Sequence, residues 1–207
     1  MENYRALRLL VADNYPEELY NFLEEEFAGS KAAFKIDKRD NGAMMGIEWA
    51  LPTAIVAYLL KPFFEAFLQE AGKDAYLKTK EGIKKLVSKN LSVETIKISA
   101  NSSPQKLSEK YDQSGTISLK LAVHKRLIFT VLFSNEIKPE EFDIMLDGLF
   151  KSIEQLYLEI QQKFSEEESV EDERPSRNEL FLIANVEKKT WEILTERQML
   201  DRYRNVR

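Results

Sequence analysis

The stretch that most restricts how this chain can fold is residues 46–70, GIEWALPTAIVAYLLKPFFEAFLQE. Its uncharged centre, WALPTAIVAYLL, is twelve residues long. A membrane-crossing helix needs about 20 apolar residues, and Glu48, Lys61 and Glu65 bound or interrupt this run. So apolar a segment must be enclosed by the rest of the chain. We read it as one very apolar central helix, with Pro52 in its first turn and Pro62 kinking it or starting a second helix. The competing reading is a segment, 46–68, that leaves the fold and inserts into a membrane or a hydrophobic groove.

Around this core the chain alternates strand-like and helix-like patterns. Residues 6–12 form a short apolar run and read as a strand. Pro16, Glu17 and Glu18 then suit a first helical turn, and Leu19, Phe22, Leu23 and Phe27 recur at helical spacing up to Gly29. Residues 32–37 read as a second strand and 73–89 as a lysine-rich helix. Residues 93–99 read as a strand, and 100–115 are polar and turn-rich. Ile117, Leu119, Leu121 and Val123 alternate with smaller or polar residues, and LIFTVLF follows at 127–133, so 116–134 reads as a hairpin. Over 138–164 an apolar stripe from Phe142 through Ile160 marks a long amphipathic helix.

Residues 165–177, SEEESVEDERPSR, lack the apolar groups that would offset the entropy of ordering them. We read them as a linker or loop between a main domain, 1–164, and a segment at 178–207 that extends it. That segment reads as a hairpin over 180–195, or as a helix, followed by a basic tail. The fold class expected is therefore α+β: a mostly antiparallel sheet with β-hairpins, packed by long amphipathic helices and the apolar central helix.

Composition narrows the chemistry. The chain has no cysteine, which removes disulfides, thiolate metal sites and cysteine nucleophiles and fits a cytoplasmic setting. His124 is the single histidine; at a hairpin turn beside two cations it reads as an exposed turn residue rather than a catalytic base. The net charge of −5 disfavours nucleic acid as a partner. The strand-to-helix turn ADNYP has no glycine and matches no phosphate-binding loop. Gly42 and Gly46 precede the apolar run without an established spacing, and Ser102, Ser103 and Tyr111 lie in the polar loop without a supporting pattern. Asp13 reads first as a helix N-cap. With Asp37, Asp40 and Glu48 it forms a weak candidate set for a divalent metal; no cofactor is indicated.

Three functional readings remain. The first is a non-enzymatic protein-interaction module, meaning an adaptor, inhibitor or complex subunit, with a protein partner or a second copy of the chain. Trp49, Trp191, Lys78, Lys84 and Lys85 are its candidate contact residues. The second is a membrane-active effector inserting 46–68, with the lysine-rich helix on anionic lipid. The third is an enzyme using carboxylates and a divalent metal.

Overall fold

The strand segments pair into a seven-stranded sheet, seen in a computed structural model that describes residues 5–28, 33–39, 53–91, 93, 113–124, 127–134, 137–164, 178–185 and 187–204. The strands are β1 (Arg5–Ala12), β2 (Ala33–Arg39), β3 (Ile55–Leu59), β4 (Gln113–His124), β5 (Leu127–Ser134), β6 (Asn178–Asn185) and β7 (Thr190–Thr195). They lie in the order β2-β1-β3-β4-β5-β6-β7. The helices are α1 (Phe22–Phe27), α2 (Lys61–Leu68), α3 (Lys73–Leu91), α4 (Pro139–Phe164) and α5 (Glu196–Arg204).

The sheet is mixed, which corrects the mostly antiparallel expectation. Pairs β1–β2, β3–β4 and β5–β6 are parallel; β1–β3, β4–β5 and β6–β7 are antiparallel. The reason lies in the connections. Each parallel pair is joined through helix, since neighbouring parallel strands need a long crossover, whereas β4–β5 and β6–β7 are joined by short turns.

The apolar stretch is also corrected: it holds no single central helix. Residues 55–59 form β3, hydrogen-bonded on both sides in mid-sheet, and the helix begins only at Lys61, with Pro62 in its first turn. A strand covered on both faces reads as a continuous apolar run, which periodicity alone does not separate from buried helix. Among the described residues no helix is long and apolar enough to cross a membrane.

One cross-strand row shows how the core is made. Ile36, Leu9, Ala57, Leu119, Val131, Leu182 and Ile193 sit side by side across all seven strands. The central members of this row are buried in one large apolar cluster with Leu23, Phe63, Leu86, Leu146 and Tyr157 of α1, α2, α3 and α4. Aromatic contacts lock the helix layer: Phe63 lies 4.9 Å from Tyr76 and 6.0 Å from Phe150, and Phe64 stacks on Tyr157 at 5.1 Å between ring centroids.

The adjacent row faces the other way: Lys35, Arg8, Tyr58, Lys120, Thr130, Phe181 and Leu194. It is polar at the β2 end and apolar at the β7 end. The apolar end is where α5 packs, burying Met199 against Leu132, Phe181 and Ile183.

All three crossovers run through the same helix layer. β1 and β5 point the same way, yet β2 lies to one side of β1 and β6 to the opposite side of β5. The crossovers β1-α1-β2 and β5-α4-β6 therefore have opposite hands, so the rare left hand occurs in this sheet.

Two helical glycines respond differently to a side chain. A Cβ on Gly82 of α3 would stand 3.2 Å from both Leu23 and Phe27, so this glycine lets α1 approach α3 closely. A Cβ on Gly148 of α4 would meet nothing within 4 Å. Gly148→Ala is expected to stabilise the fold by about 0.5–1 kcal/mol, the cost of an interior helical glycine, read as a higher urea midpoint with an unchanged slope. Gly82→Ala forfeits that gain in the contact with Leu23 and Phe27.

Candidate interaction groove

Helix α3, KDAYLKTKEGIKKLVSKNL, carries six lysines and two acids, a net charge of +4 (6 − 2) in a chain whose total is −5. Its apolar residues Tyr76, Ile83, Leu86 and Val87 face the core, which leaves the lysines to the surface. There α1, α3 and α4 enclose an open groove of about 410 Å³, lined by Lys78, Lys84, Lys85, Glu26, Glu81 and Asp143, with Gly82 and Ser88. The three lysines singled out from sequence thus converge on one surface.

Their environments differ. Lys84 is the most enclosed, 14% exposed, and bonds Asp147 of α4 at 3.1 Å with Glu81 at 3.8 Å. Burial works against its ammonium form, but the hydrogen bond to Asp147 and the charges of Asp147, Glu81 and Asp143 outweigh it and hold its pKa above the usual lysine value. Asp147 mirrors this: burial opposes its charge, and Lys84 and Lys80 outweigh burial and hold its pKa low. Lys85 pairs with Glu26 and lies 4.7 Å from the Phe22 ring centroid. Lys78 stands exposed on the rim.

The other sequence candidates are placed as follows. Trp191 of β7 is engaged inside the fold: its indole N–H donates to the Met145 carbonyl at 3.0 Å and its ring meets Phe133 edge-on. Asp37 on β2 is held by Arg8 at 2.6 Å and by Lys35, cations that keep its carboxyl ionised below the usual range. Asp13 does not cap a helix. It follows β1 in a turn, its N–H donating to the Arg39 carbonyl at 3.0 Å, while Pro16 precedes the first 3-10 turn and Asn21 precedes α1. His124 ends β4, half-buried. Asp40, Gly42, Gly46, Glu48, Trp49, Ser102, Ser103 and Tyr111 lie outside the described residues. Among the described residues no three metal-ligating side chains converge.

Sequence reading missed two polar centres. Asn90, fully buried at the end of α3, accepts from the Tyr15 hydroxyl at 2.6 Å and donates to the Leu86 and Leu19 carbonyls at 2.7 and 3.2 Å. It ties the turn after β1 to the helix layer. Glu179 of β6 accepts from Lys120 at 2.8 Å and from Thr130 on the opposite sheet face. Burial opposes its charge, but these partners outweigh it and hold its pKa low. Both centres join residues far apart in sequence, so no local pattern announces them.

Comparison with protein-family models, with curated proteins and with solved structures finds no match for this chain.

Proposed function

We propose that this chain is a non-enzymatic protein-interaction module that docks an acidic segment of a partner protein along α3. The observation that carries this reading is the +4 helix in a −5 chain, with three of its lysines on one open groove. An excess of one charge sign along one helix raises the encounter rate with partners of opposite sign, here offset in part by Glu26, Glu81 and Asp143 in the same groove. Lys78 and the stem of Lys85 present donors and apolar methylene surface together, suited to a carboxylate-bearing segment with flanking apolar residues.

The membrane reading is weaker because the segment that would insert includes β3. Its release would break the ladders to both β1 and β4. The metal-enzyme reading is weaker because Asp37 is already committed to Arg8 and Lys35.

A fluorescein-labelled, glutamate-rich peptide is the probe. It is expected to bind the full chain at low ionic strength, to weaken as salt rises, and to bind the Lys78→Glu/Lys85→Glu variant about 10-fold less tightly or worse, through loss of two attractive charges and gain of two repulsive ones. Equal binding by parent and variant would overturn the reading. Binding to vesicles of mixed phosphatidylserine and phosphatidylcholine, with none to the peptide, would favour a lipid surface instead.

A further inference from the structure

The three lysines of the groove stand differently toward a visiting carboxylate. Lys84 is closed to one: it is largely enclosed and shares Asp147 with Lys80 between α3 and α4. Lys78 is exposed. Lys85 is half-exposed, but a carboxylate of the chain itself, that of Glu26 on α1, already lies against its ammonium group.

Two features make the Glu26–Lys85 pair exchangeable. Lys85 does not depend on Glu26 for its place. Its ammonium lies 4.7 Å from the centre of the Phe22 ring, a cation–π contact that needs no carboxylate, and Lys89 lies 4.2 Å from the same ring. Glu26, for its part, gains little where it is. Its side chain is 32% exposed and that of Lys85 49%, and exposed pairs of this kind contribute little to stability. Glu26 also lies in the last turn of α1, where the helix dipole disfavours a carboxylate.

We infer that Glu26 is a built-in competitor for the acidic partner: its carboxylate occupies the seat on Lys85 that a carboxylate of the docking segment takes, and docking exchanges one for the other. This inference rests on the function proposed for the groove. The exchange sets specificity. A tethered carboxylate is present at Lys85 at high effective concentration, so a segment with a single acid displaces it poorly. A segment with several acids reaches Lys78 as well and shifts the exchange. Glu81 lines the same groove but plays no such part. It pairs with Lys84 at 3.8 Å, a lysine that Asp147 holds more closely at 3.1 Å, so its removal uncovers no exposed cation.

The test is fluorescence anisotropy of the full chain with the fluorescein-labelled, glutamate-rich peptide. Glu26→Gln keeps the shape of the side chain and removes its charge. It is expected to bind the peptide about 5-fold more tightly than the parent. Glu81→Gln, which removes a charge from the same groove, is expected to change binding by no more than about 2-fold at about 0.15 M salt, where exposed charges are well screened. In a Lys85→Gln background, Glu26→Gln is expected to gain no more than about 2-fold, because the competitor acts through Lys85. Binding by neither the parent nor Glu26→Gln at any ionic strength would overturn both this inference and the function proposed for the groove. Three results would overturn the competitor alone and leave the groove as a docking site: equal binding by the parent and Glu26→Gln, a gain in Glu81→Gln as large as in Glu26→Gln, or an undiminished gain in the Lys85→Gln background.

Discussion

Phe63→Ala is expected to lower the free energy of unfolding by about 3–5 kcal/mol, as large-to-small changes at a buried aromatic do. Phe63 is nearly fully buried and stands where three helices meet. Its ring touches Phe64 of α2 at 5.1 Å, Tyr76 of α3 at 4.9 Å and Phe150 of α4 at 6.0 Å. Truncation removes the apolar burial and leaves a void walled by aromatic rings, which relax poorly because each is packed against other elements. The measurement is urea unfolding, where the midpoint should fall while the slope stays constant. Leu68→Ala, in the same helix but exposed, should change stability by no more than about 0.5 kcal/mol. A loss below about 1 kcal/mol at Phe63 would mean that α2 does not pack in the helix layer.

Asn90→Ala is expected to cost about 1–3 kcal/mol for the Tyr15 hydroxyl alone, left buried without its acceptor, and more with the loss of the two donated bonds. A double-mutant cycle isolates the pair. Tyr15→Phe and Asn90→Ala together should cost less than the sum of the single changes, because each single change strands the other partner. The same bond has a pH signature. Burial pushes the Tyr15 pKa from 10.0 up to about 12, so between those values the folded chain holds this proton more tightly than the unfolded chain. The resulting stabilisation is complete below pH 10 and is lost as pH rises through about 12. The difference in stability between the parent and Tyr15→Phe should shrink across that window. A difference that stays flat from pH 9 to 12 would show that Tyr15 is not the group responsible.

Elements whose periodicity survives in the chain were legible from sequence. Strands β2 and β4 and helices α3 and α4 carry alternating or 3.6-residue patterns, while β1, β5 and the β6–β7 hairpin read as short apolar runs set off by polar or charged residues. Residues 55–59 were not, because burial on both faces of a strand erases the alternation that would have identified it. Strand order was not, because it depends on where each crossover lays its second strand, which no local pattern encodes. Helix α5 read as a basic tail or as part of a competing helix over 178–203, in a segment rich in charge where, among the described side chains, Met199 is buried against the sheet. The groove was half legible: Lys78, Lys84 and Lys85 share one helix, but Glu26 and Asp147, which shape their electrostatics, come from elsewhere in the chain.

The strand order also sets what happens as the polypeptide leaves the ribosome. After β3 docks on β1, each later strand pairs with the one synthesised just before it, so the sheet can lengthen vectorially without being reopened. The exposed moment comes once β5 has emerged. Its sequence, LIFTVLFS, carries no charge, and its free edge waits through the whole of residues 135–177 before β6 arrives to cover it. A charge-free, β-prone edge of this kind is the species most able to pair with a neighbouring nascent chain. Slow translation between β5 and β6 would lengthen the time for which that edge stays uncovered.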